Sequence, residues 1–290
     1  MTDHTGARLR HGRHTVDGVD LHYALAGSGE PVVLLHGVPK TMFFWRHVVP
    51  LLTPHHTVVA LDLRGFGDSA RPPSGYDTRT LAADVAGVMT ALGFERFRVV
   101  GEDWGAAVAY AVAAFHRPRV VQLVYQETRL PGLPVPDLGA LPPDDPRTGW
   151  HRTLFALPYY PELLVAGRER EFWTYFMRRI MAVPGAYTDA DADEYTRGLE
   201  QPGGNRAVFE LYRASGTDAE QNRPQFADPL TCPVLAVGGR AYLGAEPGHQ
   251  MAQVAKDVRS TVVENAGHNI PLEAPDELAA VYLDFFAGRE

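Results

Sequence analysis

Hydrophobic positions come in short bursts along this chain, and the spacing within each burst assigns its element. Residues 15–26 alternate apolar and polar side chains around Asp17-Gly18, a two-residue turn signal that predicts a pair of short antiparallel strands. Residues 31–35 and 57–61 are continuous apolar runs bounded by turn residues, the pattern of strands buried on both faces. Between them, the aromatic stretch 43–52 predicts a helix. Residues 78–92 repeat apolar side chains at helical spacing, and 96–100 form a further β-branched run. Strand, helix, strand, helix, strand in this order predicts a parallel sheet with right-handed crossovers.

After residue 100 the run passes through Gly101-Glu102-Asp103-Trp104-Gly105 and becomes small and apolar from Ala106 to Ala111, which predicts a helix. A strand that becomes a helix within five residues needs a sharp turn, and glycines there remove Cβ atoms that would clash. Residues 120–125 predict the next strand, ending at Gln126-Glu127. The character then changes. Residues 130–147 are dense in proline, glycine and aspartate, as in an extended connection, and 150–215 are helical and aromatic. Strand patterns resume at 233–237 and 261–263, before a closing helix at 275–286. The expected organisation is a core of residues 1–127 and 228–290, with a helical cap, residues 128–227, inserted after the sixth strand. Such an insertion lies at the carboxyl edge of the sheet, where ligands bind in open α/β folds.

Composition alters this picture little. The 290 residues suffice for one large domain with an insertion, and 45% hydrophobic with 21% charged residues is ordinary for a globular protein. A formal charge of −8, without a Lys/Arg block, argues against a nucleic-acid surface. Cys232 is the single cysteine, so no intramolecular disulfide forms, and no apolar run has the length of a membrane span. Residues 1–14 carry Arg8, Arg10 and Arg13 without an apolar stretch and read as a short tail on a cytoplasmic protein. No cofactor or metal is expected.

The chemistry turns on Asp103. The strand–turn–helix around it has the form of a nucleophile elbow, G-x-S-x-G, with aspartate where serine would stand. Serine needs a base to remove its proton and suits attack on a carbonyl. A carboxylate is already ionised at neutral pH and attacks unaided. On an sp³ carbon its product is an ester, which water can open again, whereas serine would leave an inert ether. Asp103 therefore points to alkylating substrates, epoxides or alkyl halides. The alternative is a helix N-cap without chemistry.

The set His36-Gly37-Val38-Pro39, Asp62-Leu63-Arg64-Gly65-Phe66-Gly67-Asp68-Ser69, Gly101-Glu102-Asp103-Trp104-Gly105 and Gly267-His268 resembles the α/β-hydrolase superfamily over nearly the whole chain. Within it the set is most similar to the branch with an aspartate nucleophile, the epoxide hydrolases and haloalkane dehalogenases. The resemblance implies an α/β-hydrolase fold, a mostly parallel central sheet with helices on both faces and an inserted helical cap. It implies His268 as the base that activates water, and an acid that orients it. Of the family's two places for that acid, the loop after residue 237 holds Gly238-Gly239-Arg240-Ala241-Tyr242, so Glu127 is chosen, with Glu246 second. That placement is similar to the Cif-type bacterial epoxide hydrolases. By the same resemblance Tyr212 and His151 are the ring-opening acids, with Tyr159 and Tyr160 in reserve. The Val38 and Trp104 amides form the oxyanion hole, His36 supports that loop, and a cis bond precedes Pro39. Trp104, Trp150, Phe155 and Tyr159 are expected to line an apolar pocket.

The expected reaction is hydrolysis of a small apolar epoxide to a vicinal diol through an aspartyl ester. A haloalkane dehalogenase is the nearest rival, but Val38 stands where many dehalogenases place asparagine, and Trp104 and Ala107 where fluoroacetate-type enzymes place arginines. A biosynthetic cyclase or a non-catalytic binder on the same fold is the alternative of a different class. Homodimerisation stays open.

Overall fold

The computed structural model describes residues 1–135, 141–142 and 145–288. An eight-stranded sheet has the order β1-β2-β4-β3-β5-β6-β7-β8. Its strands are β1 (Arg10–Val16), β2 (Val19–Ala26), β3 (Pro31–Leu35), β4 (Thr57–Leu61), β5 (Phe97–Glu102), β6 (Val120–Gln126), β7 (Val234–Gly239) and β8 (Val258–Val263). From β4 onward across the sheet the pairing is parallel, while β1–β2 and β2–β4 are antiparallel. Asp17 and Gly18 close the β1–β2 hairpin with φ of 46° and 80°, as a mirror-image turn requires.

The continuous apolar runs follow from a sheet covered on both sides. Val33, Leu35, Val59 and Val99 pack into one core with Leu81 and Val85 of α2 (Thr78–Ala91) and with α3 (Trp104–Phe115). Alternate residues Val32, Leu34, Val58 and Val100 pack on the opposite face with Leu52 of α1 (Val49–Leu52). Between β6 and β7 the described residues hold helices and no strand: α4 (Trp150–Ala156), α5 (Tyr160–Val165), α6 (Glu169–Arg179), α7 (Asp189–Leu199), α8 (Gly204–Arg213) and α9 (Ser215–Asn222). Part of the connection expected over 130–147 lies outside the described residues. The chain ends in α10 (Glu246–Met251), α11 (Ile270–Glu273) and α12 (Pro275–Phe286). No helix among the described residues is long and apolar enough to cross a membrane.

Three expectations need correction. The helix expected over 43–52 is a 3₁₀ turn, Met42–Trp45, followed by the single turn α1. Pro50 lacks an N–H and so can only begin a helix. The tail read over residues 1–14 supplies β1, and Thr2 bridges to Arg8. The last strand starts at Val258, three residues before the apolar signal. Both β1 and β8 are edge strands, where one side meets solvent and polar residues are allowed.

Candidate active site

Asp103 sits between β5 and α3 at φ 54°, ψ −127°, a strained conformation for a residue with a side chain. Two close approaches make the turn feasible only with glycine. A Cβ on Gly101 would lie 2.1 Å from the Gly105 carbonyl oxygen, and one on Gly105 would lie 2.3 Å from that of Leu35. The Asp103 side chain caps no amide of α3. Its Oδ2 instead accepts a hydrogen bond of 3.0 Å from the Val38 N–H, on the loop after β3. Burial pushes the Asp103 carboxyl up, but His268, Lys40 and the Val38 amide together hold it below the usual range.

His268 follows β8, and its own N–H donates to Ile180 O at 2.9 Å. Its Nδ1 lies 3.0 Å from Glu127 Oε2. On the other side Nε2 lies 3.9 Å from Asp103 Oδ2 and 3.3 Å from Glu102 Oε1. Burial and Lys40 disfavour the imidazolium, yet the surrounding carboxylates outweigh them and raise His268 to about 9. Glu127, at φ 52° just past β6, is pinned by the Gly239 N–H at 2.6 Å and the Leu243 N–H at 3.4 Å, so both its oxygens are engaged. Glu246, the second choice, begins α10 and takes a two-pronged pair with Arg129 at 2.6 and 2.9 Å. His36 Nδ1 lies 2.7 Å from Gly37 O, which can only accept, so Nδ1 carries the proton and Nε2 accepts the Leu63 N–H at 3.2 Å. The Val38–Pro39 bond is cis.

A cavity of about 220 Å³ opens above the nucleophile, and Asp103, Trp104, Glu127, His151, Tyr212 and His268 all line it. Tyr212 of α8 is buried and meets the Trp104 ring edge-on at 5.1 Å and His151 at 5.9 Å. Burial, then the Asp103 charge, holds its phenol far above the ordinary value, so it is a protonated donor at every working pH. His151 of α4 is lowered to about 3, by burial first and then by Arg152, so it is a neutral imidazole. The remaining pocket expectations are placed differently. Phe155 is fully buried behind Tyr212, with ring centroids 5.1 Å apart. Trp150 packs on His151 and Phe176 rather than facing the cavity. Tyr159 is 85% exposed and Tyr160 49% exposed, at a corner where Pro158 and Pro161 break the helix between α4 and α5 and turn the rings outward.

Sequence reasoning also passed over residues that shape the site. Tyr242, in the loop after β7, packs against His268 with ring centroids 4.7 Å apart. Phe176, Ile180 and Leu130 supply the apolar wall, and Thr128, Arg129 and Arg152 the polar rim. Lys40 and Glu102 form a fully buried ion pair beside the base. A lysine inside the apolar stretch Val38 to Trp45 was the one signal that could have exposed that pair. Among the described residues no cluster of His, Cys, Asp and Glu could hold a metal ion.

Comparisons with known proteins agree with the fold. The family model for the alpha/beta hydrolase fold matches residues 30–275. The soluble epoxide hydrolase of Corynebacterium sp. (strain C12) is 34% identical, over 96% of this chain and 98% of that protein. A fluoroacetate dehalogenase of Burkholderia sp. is 30% identical, over 79% of this chain and 77% of that protein. The crystal structure of Cfl2 from Burkholderia cenocepacia superposes with a TM-score of 0.91 at 39% identity, covering 97% of this chain and 96% of that one.

Proposed function

We propose that this chain, which belongs to the α/β-hydrolase family, is an epoxide hydrolase that opens its substrate with the Asp103 carboxylate. The relatives named for epoxide hydrolysis support the reaction, and the placement of Asp103, His268, Glu127 and Tyr212 about one cavity supports the mechanism. The Asp103–His268–Glu127 constellation carries the reading: a carboxylate held ionised chiefly by the histidine, with Lys40 and a backbone amide assisting, and that histidine anchored from behind by a second carboxylate. Residues 128–227 act as the cap that brings Tyr212 and His151 over the nucleophile.

In the first step one Asp103 oxygen attacks an epoxide carbon while the C–O bond breaks. The departing oxygen takes a proton from Tyr212, whose phenol becomes phenolate, with the neutral His151 N–H as second donor. The product is a hydroxyalkyl ester on Asp103. Its formation removes the Asp103 negative charge, so the imidazolium loses one of its supports and gives up its proton, which restores the Tyr212 phenol. Neutral Nε2 then takes a proton from water, and hydroxide adds to the ester carbonyl. The Val38 and Trp104 N–H groups receive the oxyanion. Collapse expels the diol oxygen, which takes the proton back from His268, and the Asp103 carboxyl then passes its own proton to His268, restoring the carboxylate and the imidazolium.

Multiple turnovers in ¹⁸O-labelled water test the covalent route: label enters the Asp103 carboxylate first and reaches one diol oxygen only in later turnovers. Label in the diol with none in the protein would exclude it. A panel of epoxides and alkyl halides, scored for diol and halide release, separates this reading from dehalogenation, the activity named for the 30% identical relative.

A further inference from the structure

We propose that the buried Lys40–Glu102 pair is a positioning device for the hydrolytic half-reaction, presenting an anionic oxygen to His268 Nε2 and governing when that nitrogen gives up its proton. The proposal rests on the aspartyl-ester reading above. Glu102 is the last residue of β5, next to the nucleophile, and both its side chain and that of Lys40 are 0% exposed. Lys40 Nζ donates to both carboxylate oxygens at 2.7 Å and also sits 4.4 Å from the centre of the Phe44 ring. One of the same oxygens, Oε1, lies 3.3 Å from His268 Nε2, the nitrogen facing the ester, and is nearer to it than Asp103 Oδ2 at 3.9 Å.

The pair has a direct physical consequence. A lone carboxylate in so dry a place takes up a proton and loses its charge. Burial does push Glu102 up, to about 7, with Lys40 the main opposing influence. Lys40 thus opposes that rise and favours the carboxylate form while leaving one oxygen directed at the imidazole. Burial and Lys40 disfavour the imidazolium, while three carboxylates, Glu102, Asp103 and Glu127, favour it. When Asp103 is esterified, Glu102 is the one anionic side chain still facing Nε2 among these groups. It therefore sets how far the imidazole's basicity falls, and with it the pH below which ester hydrolysis stalls. The other titratable groups that bear on this cluster are His36 on the β3 loop, His151 of α4, Tyr242 after β7 and Tyr282 of α12. The rival role is purely structural, in which the pair only fastens the Val38–Lys40 loop to the elbow.

Two variants separate the roles, Glu102→Gln and the double change Lys40→Met with Glu102→Gln, the latter leaving no unpaired buried charge. The readouts are the pH dependence of ester hydrolysis in single turnovers with styrene oxide or another accepted epoxide, and imidazole titration by NMR in the free protein, with the His268 signal assigned by its loss in His268→Gln. The proposal expects His268 to titrate at least about one pH unit lower in Glu102→Gln, with the acid limb of hydrolysis moving down with it, tenfold in rate per unit on that limb, and expects the double variant, which also removes the opposing Lys40 charge, to titrate above Glu102→Gln. An unmoved titration and limb in folded Glu102→Gln, or a double variant that titrates no higher than Glu102→Gln, would overturn it and leave the structural role. Failure of the wild-type chain to form any alkyl ester would instead sink the aspartyl-ester reading, whatever the titrations show.

Discussion

Replacing Glu127 by glutamine changes one atom in a fully specified site. The substituted side chain keeps an oxygen for the Gly239 N–H at 2.6 Å and the Leu243 N–H at 3.4 Å only if its NH₂ group turns toward His268 Nδ1. A donor now faces Nδ1, so the imidazole proton moves to Nε2, and the nitrogen that must accept a proton from water has no free lone pair. The loss combines a charge-assisted hydrogen bond, about 1.5–3 kcal/mol, with the cost of the wrong tautomer. Together these amount to about 4 kcal/mol, or a thousandfold in the hydrolytic rate. Asp103 keeps its Val38 contact, so attack on the epoxide continues. Rapid-quench mass analysis should show a burst of alkylated protein near one equivalent, followed by slow release of diol. Hydrolysis within about threefold of the wild-type rate would refute the orienting role and return Glu246 to consideration.

Tyr212→Phe removes the buried phenol over Asp103, and should slow ester formation about a hundredfold or more without ester accumulating, as read by the burst rate. Asp218 tests linkage in the helical segment: burial raises its carboxyl to about 7, although it accepts the Thr78 N–H at 2.7 Å. The unfolded chain ionises this group near 3.8, so its cost to the folded state grows as pH rises from about 4 to about 7, reaching at most about 4 kcal/mol. Asp218→Asn should therefore raise stability in urea melts at pH 8 and not at pH 4; equal effects at both would contradict this. A Cβ on Gly239 would lie 1.9 Å from the Gly267 carbonyl oxygen, so Gly239→Ala should cost about 2 kcal/mol or more in thermal unfolding and slow hydrolysis by displacing the His268 loop.

The legibility of this chain follows its burial. Pro31–Leu35 and Thr57–Leu61 lie between two covered faces, so nearly every position is apolar and their bounds can be read directly. Arg10–Val16 and the first half of Val258–Val263 lie at sheet edges, where solvent removes the demand for apolar residues and the signal vanishes. Asp103, Glu127, His151, Tyr212 and His268 are legible from motif and position, and all line the same cavity. Aromatic character in the helical segment was a weaker guide, because packing and solvent claim such rings as readily as a pocket does: Phe155 lies behind the site and Tyr159 outside it. Lys40 and Glu102 stand 62 positions apart, and only the β3–β5 pairing brings them together.

His268→Gln examined by intact-protein mass is the most direct test of a covalent Asp103. Incubated with an accepted epoxide, this variant should gain the mass of one substrate molecule per chain, with the added mass mapped by proteolysis to Asp103, and should release almost no diol. Diol formation at the wild-type rate, or an adduct absent from Asp103, would contradict the mechanism.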